Sequence, residues 1–138
     1  HRGPCIWLTP GGTKLYPRIS TINNWDDGIA QSKKSLILNH EHHVGLVLTN
    51  NGEDQRLLLY IDGECDSIYV VNSQLLYRKD MPFTLGGNAE FPSFNGVLDR
   101  PRFYNYAITD EFIIREDMLS KSKCSTSNAK ILNKNIVL

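Results

Sequence analysis

The sequence predicts an all-β protein: an antiparallel β-sandwich with one short helix on its C-terminal side. Three observations carry this expectation. Apolar runs of strand length recur between turn signals from residue 6 to residue 104. Asp62-Gly63 separates two such runs, and glycine supplies the positive φ of a tight hairpin turn at no steric cost. Clusters such as Pro10-Gly11-Gly12, Asn23-Asn24-Trp25-Asp26-Asp27-Gly28 and Asn50-Asn51-Gly52 divide the remaining runs as loops do.

Residues 6–9 form a first short strand. Residues 14–21 form the next, and Pro17 within it predicts an edge position or a bulge, because proline donates no ladder hydrogen bond. Residues 35–38 are a short apolar segment. Residues 43–49 are a core strand that the turn at 50–54 returns into residues 57–61. After Asp62-Gly63 the chain resumes as a strand over 67–71, then 83–85, then 96–99 running on to 102–104. Val47, Tyr60, Leu85 and Val97 lie on the densest of these runs and are the expected core. Residues 86–96 form a long loop. Thr109 caps a helix over 110–119, with Asp110 and Glu111 placed to suit its dipole, and Phe112, Ile113 and Met118 on its buried side. Residues 120–128 turn polar, as a linker does. Residues 131–138 are apolar enough for a final strand, the alternative being a disordered tail. The domain division is therefore 1–119 for the sandwich and 120–138 for linker and final strand.

The order of these segments resembles laminin-G-like domains of the concanavalin A-like lectin/glucanase superfamily. The family's recurring text is an LYVDG turn, an IGG segment and a G-x-IDxxRxYNxAI segment. Here the text is LYIDG at 59–63, TLGGN at 84–88 and GVLDRPRFYNYAIT at 96–109. Upstream, HHVGLVL at 42–48 is similar to the family's WHHVALV strand, with Glu41 in place of its tryptophan, and LYPRIST at 15–21 is similar to its LYxRIST strand. The resemblance implies a jelly-roll sandwich, and it implies that several opening strands precede residue 6 in a full domain. This chain then looks like a sandwich short of those strands, with an apolar face and strand edges for another segment or a partner chain to cover.

Length and charge narrow the function. A chain of 138 residues is one domain. Fifteen basic residues balance 15 acidic ones, so there is no electrostatic footprint for nucleic acid or an anionic membrane. No apolar run is long enough to span a bilayer, and the start shows no signal peptide. The chain opens at His1 without methionine, as a processed product or an excised piece would. Of the 3 cysteines, Cys5, Cys65 and Cys124, a secreted domain would pair two. Spacing leaves the connectivity open, and no CxxC pair suggests zinc.

The superfold includes glycanases that use acids at alternate strand positions, E-x-D-x-E, so that the carboxylates share one face. Here Glu64-x-Asp66-x-Ile68 lacks the third acid and follows a hairpin turn, so Glu64 and Asp66 read as solvated turn residues and the chain as no enzyme. His40 and His42 share a strand face with Glu41 between them, but a metal would need further ligands. The expectation is that His43 is a core histidine and that His40 and His42 face water. No GxSxG elbow is present, Gly86-Gly87-Asn88 lacks the features of a phosphate loop, and Asp99 is expected to fix a turn.

What remains is recognition surface. Asn24, Trp25, Asp26 and Asp27 combine an aromatic platform with groups that bond hydroxyls. Asn88 and Glu90, with Phe91 and Phe94, form a second candidate. The plainer alternative is that Trp25, Phe91 and Phe94 close the ends of the core. The resemblance implies a secreted or cell-surface recognition and adhesion module that takes a glycan or an extracellular protein. It also makes calcium the one cofactor to consider, with no residues assigned to it. The alternatives are a structural subunit of a larger complex and an accessory or degenerate domain of a glycan-processing enzyme.

Overall fold

The computed structural model describes residues 3–51, 54–76, 80, 83–87 and 93–116. Two three-stranded antiparallel sheets form the body. The first joins β1 (Cys5–Leu8), β2 (Leu15–Ile19) and β3 (Asp27–Gly28) in that order; the second joins β4 (Val44–Asn51), β5 (Asp54–Ile61) and β6 (Glu64–Val70). A two-residue strand, β7 (Pro101–Arg102), follows, and a short helix, α1, covers 110–116.

Burial alternates along β2 as a half-covered strand requires. Leu15, Pro17 and Ile19 point inward, and Tyr16 and Arg18 lie on the outer face. The inward set meets Leu57, Leu59 and Ile61 of β5, with Ile29, Val71 and Leu75 completing one core between the sheets. β5 is covered on both faces. Its other face places Tyr60 with Val47 of β4 and Ile113 of α1 in a second, smaller cluster. This double burial is why residues 57–61 read as a continuous apolar run and not as an alternation.

Three turns follow directly from residue chemistry. Asp62 and Gly63 both adopt positive φ, 55° and 80°, the geometry of a primed two-residue hairpin turn. Gly28, at φ 126°, faces the Pro17 carbonyl so closely that a Cβ would lie 2.7 Å from its oxygen, so only glycine allows β3 to approach β2 there. Thr109 caps α1, its Oγ1 accepting the Phe112 N–H at 3.4 Å. Tyr60 then ties α1 to the sheet by donating its hydroxyl to Asp110. Burial, and after it the Asp110 carboxylate, holds the Tyr60 phenol well above its ordinary range. Tyr60→Phe should cost about 1 kcal/mol, one net hydrogen bond, read as a lower urea midpoint with unchanged slope.

Several expectations are corrected. Pro17 sits in the central strand of its sheet, not at an edge. Its carbonyl accepts the Ile29 N–H at 3.1 Å, so its nitrogen faces the position just past the end of β3, where the ladder has already stopped. Residues 83–85 and 96–99 are not strands. Leu85 is 44% exposed and Val97 90% exposed, so neither belongs to the core that Val47 and Tyr60 share. Phe94 is also substantially exposed and does not close a core end. Met118, Cys124 and the expected strand at 131–138 lie outside the described residues, as does Phe91.

Candidate functional site

The loop between β2 and β3, with the first residue of β3, carries four of the six residues singled out by sequence, and several of its backbone groups are hydrogen-bonded. Thr21 N–H donates to the Asn24 carbonyl at 2.8 Å, and Asn24 N–H returns to Thr21 Oγ1 at 3.1 Å. Asp26 N–H donates to Asn24 Oδ1 at 3.0 Å, and Ser20 Oγ to the Trp25 carbonyl at 2.8 Å. Beyond the loop, Ile22 N–H reaches the Gln74 carbonyl and Leu76 N–H the Ser20 carbonyl, each at 2.9 Å. These bonds leave the indole of Trp25 57% exposed. Trp25 is an exposed aromatic residue on this loop.

The two carboxylates of the loop have different fates. Asp27 is buried, and its oxygens accept from the Tyr69 hydroxyl, from Gly28 N–H at 3.0 Å and from Thr21 Oγ1 at 3.3 Å. The bond to Asp27, and burial after it, raises the Tyr69 phenol above its ordinary value. Asp27 is thus a strut between the sheets and is withdrawn from the candidate surface. Asp26 keeps a quarter of its side chain in solvent, with Oδ1 3.4 Å from Arg18 Nε. Its Oδ2 accepts the Tyr16 hydroxyl at 3.2 Å. Arg18 donates to the Tyr16 oxygen and lies over the Tyr16 ring, 3.9 Å from its centroid. Tyr16 pairs across the strands with Trp7, and Arg18 with Cys5, so these side chains share the outer face of β2. Sequence reading missed Tyr16 and Arg18 as neighbours of the loop. Their alternation along β2 was the signal that could have found them.

Asn88 and Glu90 lie outside the described residues. The described part of that region, 93–100, is exposed, and Phe94 N–H donates to the Gly86 carbonyl at 2.5 Å.

The acids at 64 and 66 are not presented together: Glu64 is exposed and Asp66 is buried. Strand pairing runs from Cys65↔Tyr60 to Ser67↔Leu59 and skips Asp66, the extra residue of a β-bulge. The bulge turns Asp66 inward, where its carboxylate accepts Lys33 N–H and Lys34 N–H, each at 2.8 Å, and Ser67 Oγ at 2.6 Å. Asp66 is therefore a buried brace, not a solvated turn residue. Burial pushes its pKa up, but the bonds from Ser67, Lys34 and Lys33 outweigh it, and the net shift is downward. Glu64 is exposed and bonded to Lys34. Cys65 reaches the surface, yet the packing around its sulfur, and then the Asp110 charge, raise its thiol pKa, the reverse of what a nucleophilic cysteine needs. Cys5 and Cys65 are not joined to each other.

His42 does not face open water. Its Nε2 accepts the Ile37 N–H at 2.8 Å, which leaves Nδ1 to donate to Asp62 Oδ2 at 2.8 Å. His43 is half-buried, and His40 is exposed beside the Leu38 carbonyl. Among the described residues, no three His, Cys, Asp or Glu side chains converge as a metal site. Asp27 accepts three hydrogen bonds and Asp26 one, from Tyr16.

Among known families, the laminin G model of the concanavalin A-like lectin/glucanases superfamily matches residues 5–114. No curated protein and no solved structure gives a match.

Proposed function

Because the chain belongs to the concanavalin A-like lectin/glucanase superfamily, we propose that it is an extracellular, non-catalytic recognition module that engages its ligand through the Trp25 loop. The family binds carbohydrates or proteins, and laminin-G-like domains usually work outside the cell. No helix among the described residues is long and apolar enough to cross a membrane. The observation that carries the reading is the exposed Trp25 on a loop held by several backbone and side-chain hydrogen bonds. Such a loop pays little ordering entropy on binding. Trp25→Ala should leave stability within about 0.5 kcal/mol, as surface changes do, and abolish capture of whichever member of a glycan and matrix-protein array the wild type retains. Retention unchanged in Trp25→Ala would remove the loop from the binding surface.

The non-catalytic part rests on Asp66 being committed to two backbone N–H groups and on Glu64 being tied to Lys34. Incubation with oligosaccharides should release no new reducing ends. Turnover that disappears in Glu64→Gln would restore the glycanase alternative.

One observation favours a second reading, that of a subunit completed by a further protein segment. Phe83, Val97, Phe103 and Tyr106 are mostly exposed in segments whose composition suits strands. A partner segment pairing there as an extended strand would cover them. Size analysis of the isolated chain under oxidising and reducing conditions tests this. Self-association or broad melting is the expected result, and a monodisperse, cooperatively melting monomer in both conditions rejects it.

A further inference from the structure

We infer that His42 is a proton-operated latch on residues 37–41, holding their apolar tip when its ring is neutral and releasing it when the ring is protonated. The inference is independent of the Trp25 loop.

The latch is readable in the direction of the hydrogen bonds. His42 Nε2 lies 2.8 Å from the Ile37 nitrogen and accepts its N–H, which a ring nitrogen does only with its lone pair free. Nδ1 therefore carries the ring proton and donates to Asp62 Oδ2 at 2.8 Å. A second proton can enter only at Nε2. It would face the Ile37 N–H donor to donor, and that bond is lost. The Ile37 carbonyl oxygen lies 3.3 Å from the same ring nitrogen, so the charged ring gains an acceptor on the other side of the same residue. Protonation thus inverts the contact with Ile37, and the tip has to shift to make it.

The surroundings confine that shift. Upstream, Asp66 accepts the Lys33 and Lys34 N–H groups, each at 2.8 Å, and the Thr13 carbonyl accepts the Leu36 N–H at 2.9 Å. Downstream, His43 N–H donates to Asp62 Oδ1 at 3.0 Å, and Asp62 N–H to the His43 carbonyl at 2.8 Å. Between these anchors lies a turn, with His40 N–H 3.3 Å from the Ile37 carbonyl and Asn39 at φ 62°. Ile37 and Leu38 are 61% and 72% exposed, so little packing resists their displacement. The ring itself stays in place, because its partner Asp62 makes a charge-assisted bond to the protonated form. The other charged groups nearby are Lys34, which is bonded to Glu64 and also feels the Asp62 charge, and Glu41 on the segment itself. His40 lies beside the Leu38 carbonyl, and His43 is half-buried. Among these groups the histidines are the ones that change charge between about pH 5 and 8, and His42 is the one whose ring accepts the Ile37 N–H. A contact made through Ile37 and Leu38 therefore depends on pH.

The test is NMR of the nitrogen-15-labelled full chain from about pH 7.5 to about pH 5, reading the His42 ring nitrogens and amide exchange corrected for its intrinsic rate. At the upper end the ring should carry its proton on Nδ1 and the Ile37 amide should be protected. As His42 takes up its second proton, Ile37 protection should fall about tenfold or more, as for a surface amide that has opened, while Lys33, Lys34 and Leu36 keep theirs. His42→Phe has no acceptor and should leave Ile37 unprotected at both ends of the range, with Leu36 still protected. The wild-type titration decides the matter even where this variant does not fold. A ring proton on Nε2 at neutral pH, a His42 that takes up no proton in this range, or Ile37 protection that survives protonation overturns the latch. So does a loss of protection shared by Leu36 and Lys33, which would be general loosening and not release of the tip.

Discussion

Leu59→Ala should destabilise the protein by about 3–5 kcal/mol, and Val97→Ala by no more than about 0.5 kcal/mol. Leu59 has no exposed surface and shares one core cluster with Leu15 and Ile19 of β2, with Ile29 just past β3, and with Leu57 and Ile61 of its own strand. Truncation removes transfer energy and leaves a cavity that two sheets, held by their ladders, close poorly. Against a total of about 5–15 kcal/mol for a domain, that loss is a large fraction of the whole. Val97 is an equally apolar residue in an equally strand-like run, yet its side chain is in water. Urea unfolding of both variants separates the two sites. Equal losses would mean that residues 96–99 are buried after all.

Asp66→Ala should be the most damaging substitution of a charged residue, costing about 2–4 kcal/mol. The carboxylate accepts from the Lys33 and Lys34 N–H groups of the facing segment and from the Ser67 hydroxyl, and its removal breaks all three bonds, at roughly 1–3 kcal/mol for each donor left unsatisfied. The sign of the pH dependence follows from the downward shift. Asp66 in the folded chain titrates below its ordinary value of 3.8. Its contribution is therefore complete above that value and is lost as the pH falls through the folded-state pKa. The stability gap between wild type and Asp66→Ala should be constant from neutral pH down to about pH 5 and narrow below pH 4. A gap that stays constant into strong acid would show that the ionised carboxylate is not what the bulge requires.

These two residues also mark where the sequence was legible and where it was not. The β4–β5–β6 meander was readable because its signals are local: a double apolar run, an Asp-Gly turn and a resumed strand. The cap at Thr109 was readable for the same reason. Asp66 was not, because its role depends on one skipped pairing opposite Leu59 and Tyr60, and on backbone groups more than thirty residues away. The same holds for Asp27, which looks like a loop acid in the string Asn23-Asn24-Trp25-Asp26-Asp27 but is claimed by Tyr69 from the facing sheet. Segments 83–85 and 96–99 carry strand composition without strand structure. Composition records what a segment could pair with, whereas burial records what is there to pair. Arg18 and Tyr16 meet Asp26 only because β2 alternates and Gly28 brings β3 against it.

The hydroxyl of Tyr69 donating to Asp27 joins β6 of one sheet to β3 of the other, two residues after Trp25 in the chain. Loops that bind ligands are commonly drawn from the least stable parts of a fold and open long before the body unfolds. Here the loop cannot peel away without separating the two layers, so its amides should share the slow exchange of the core strands. Warming the protein should therefore leave its recognition capacity intact until the whole domain melts. A loop of this kind behaves as a fixed stamp and not as a closing hand: its selectivity is set when the chain folds, before any ligand arrives.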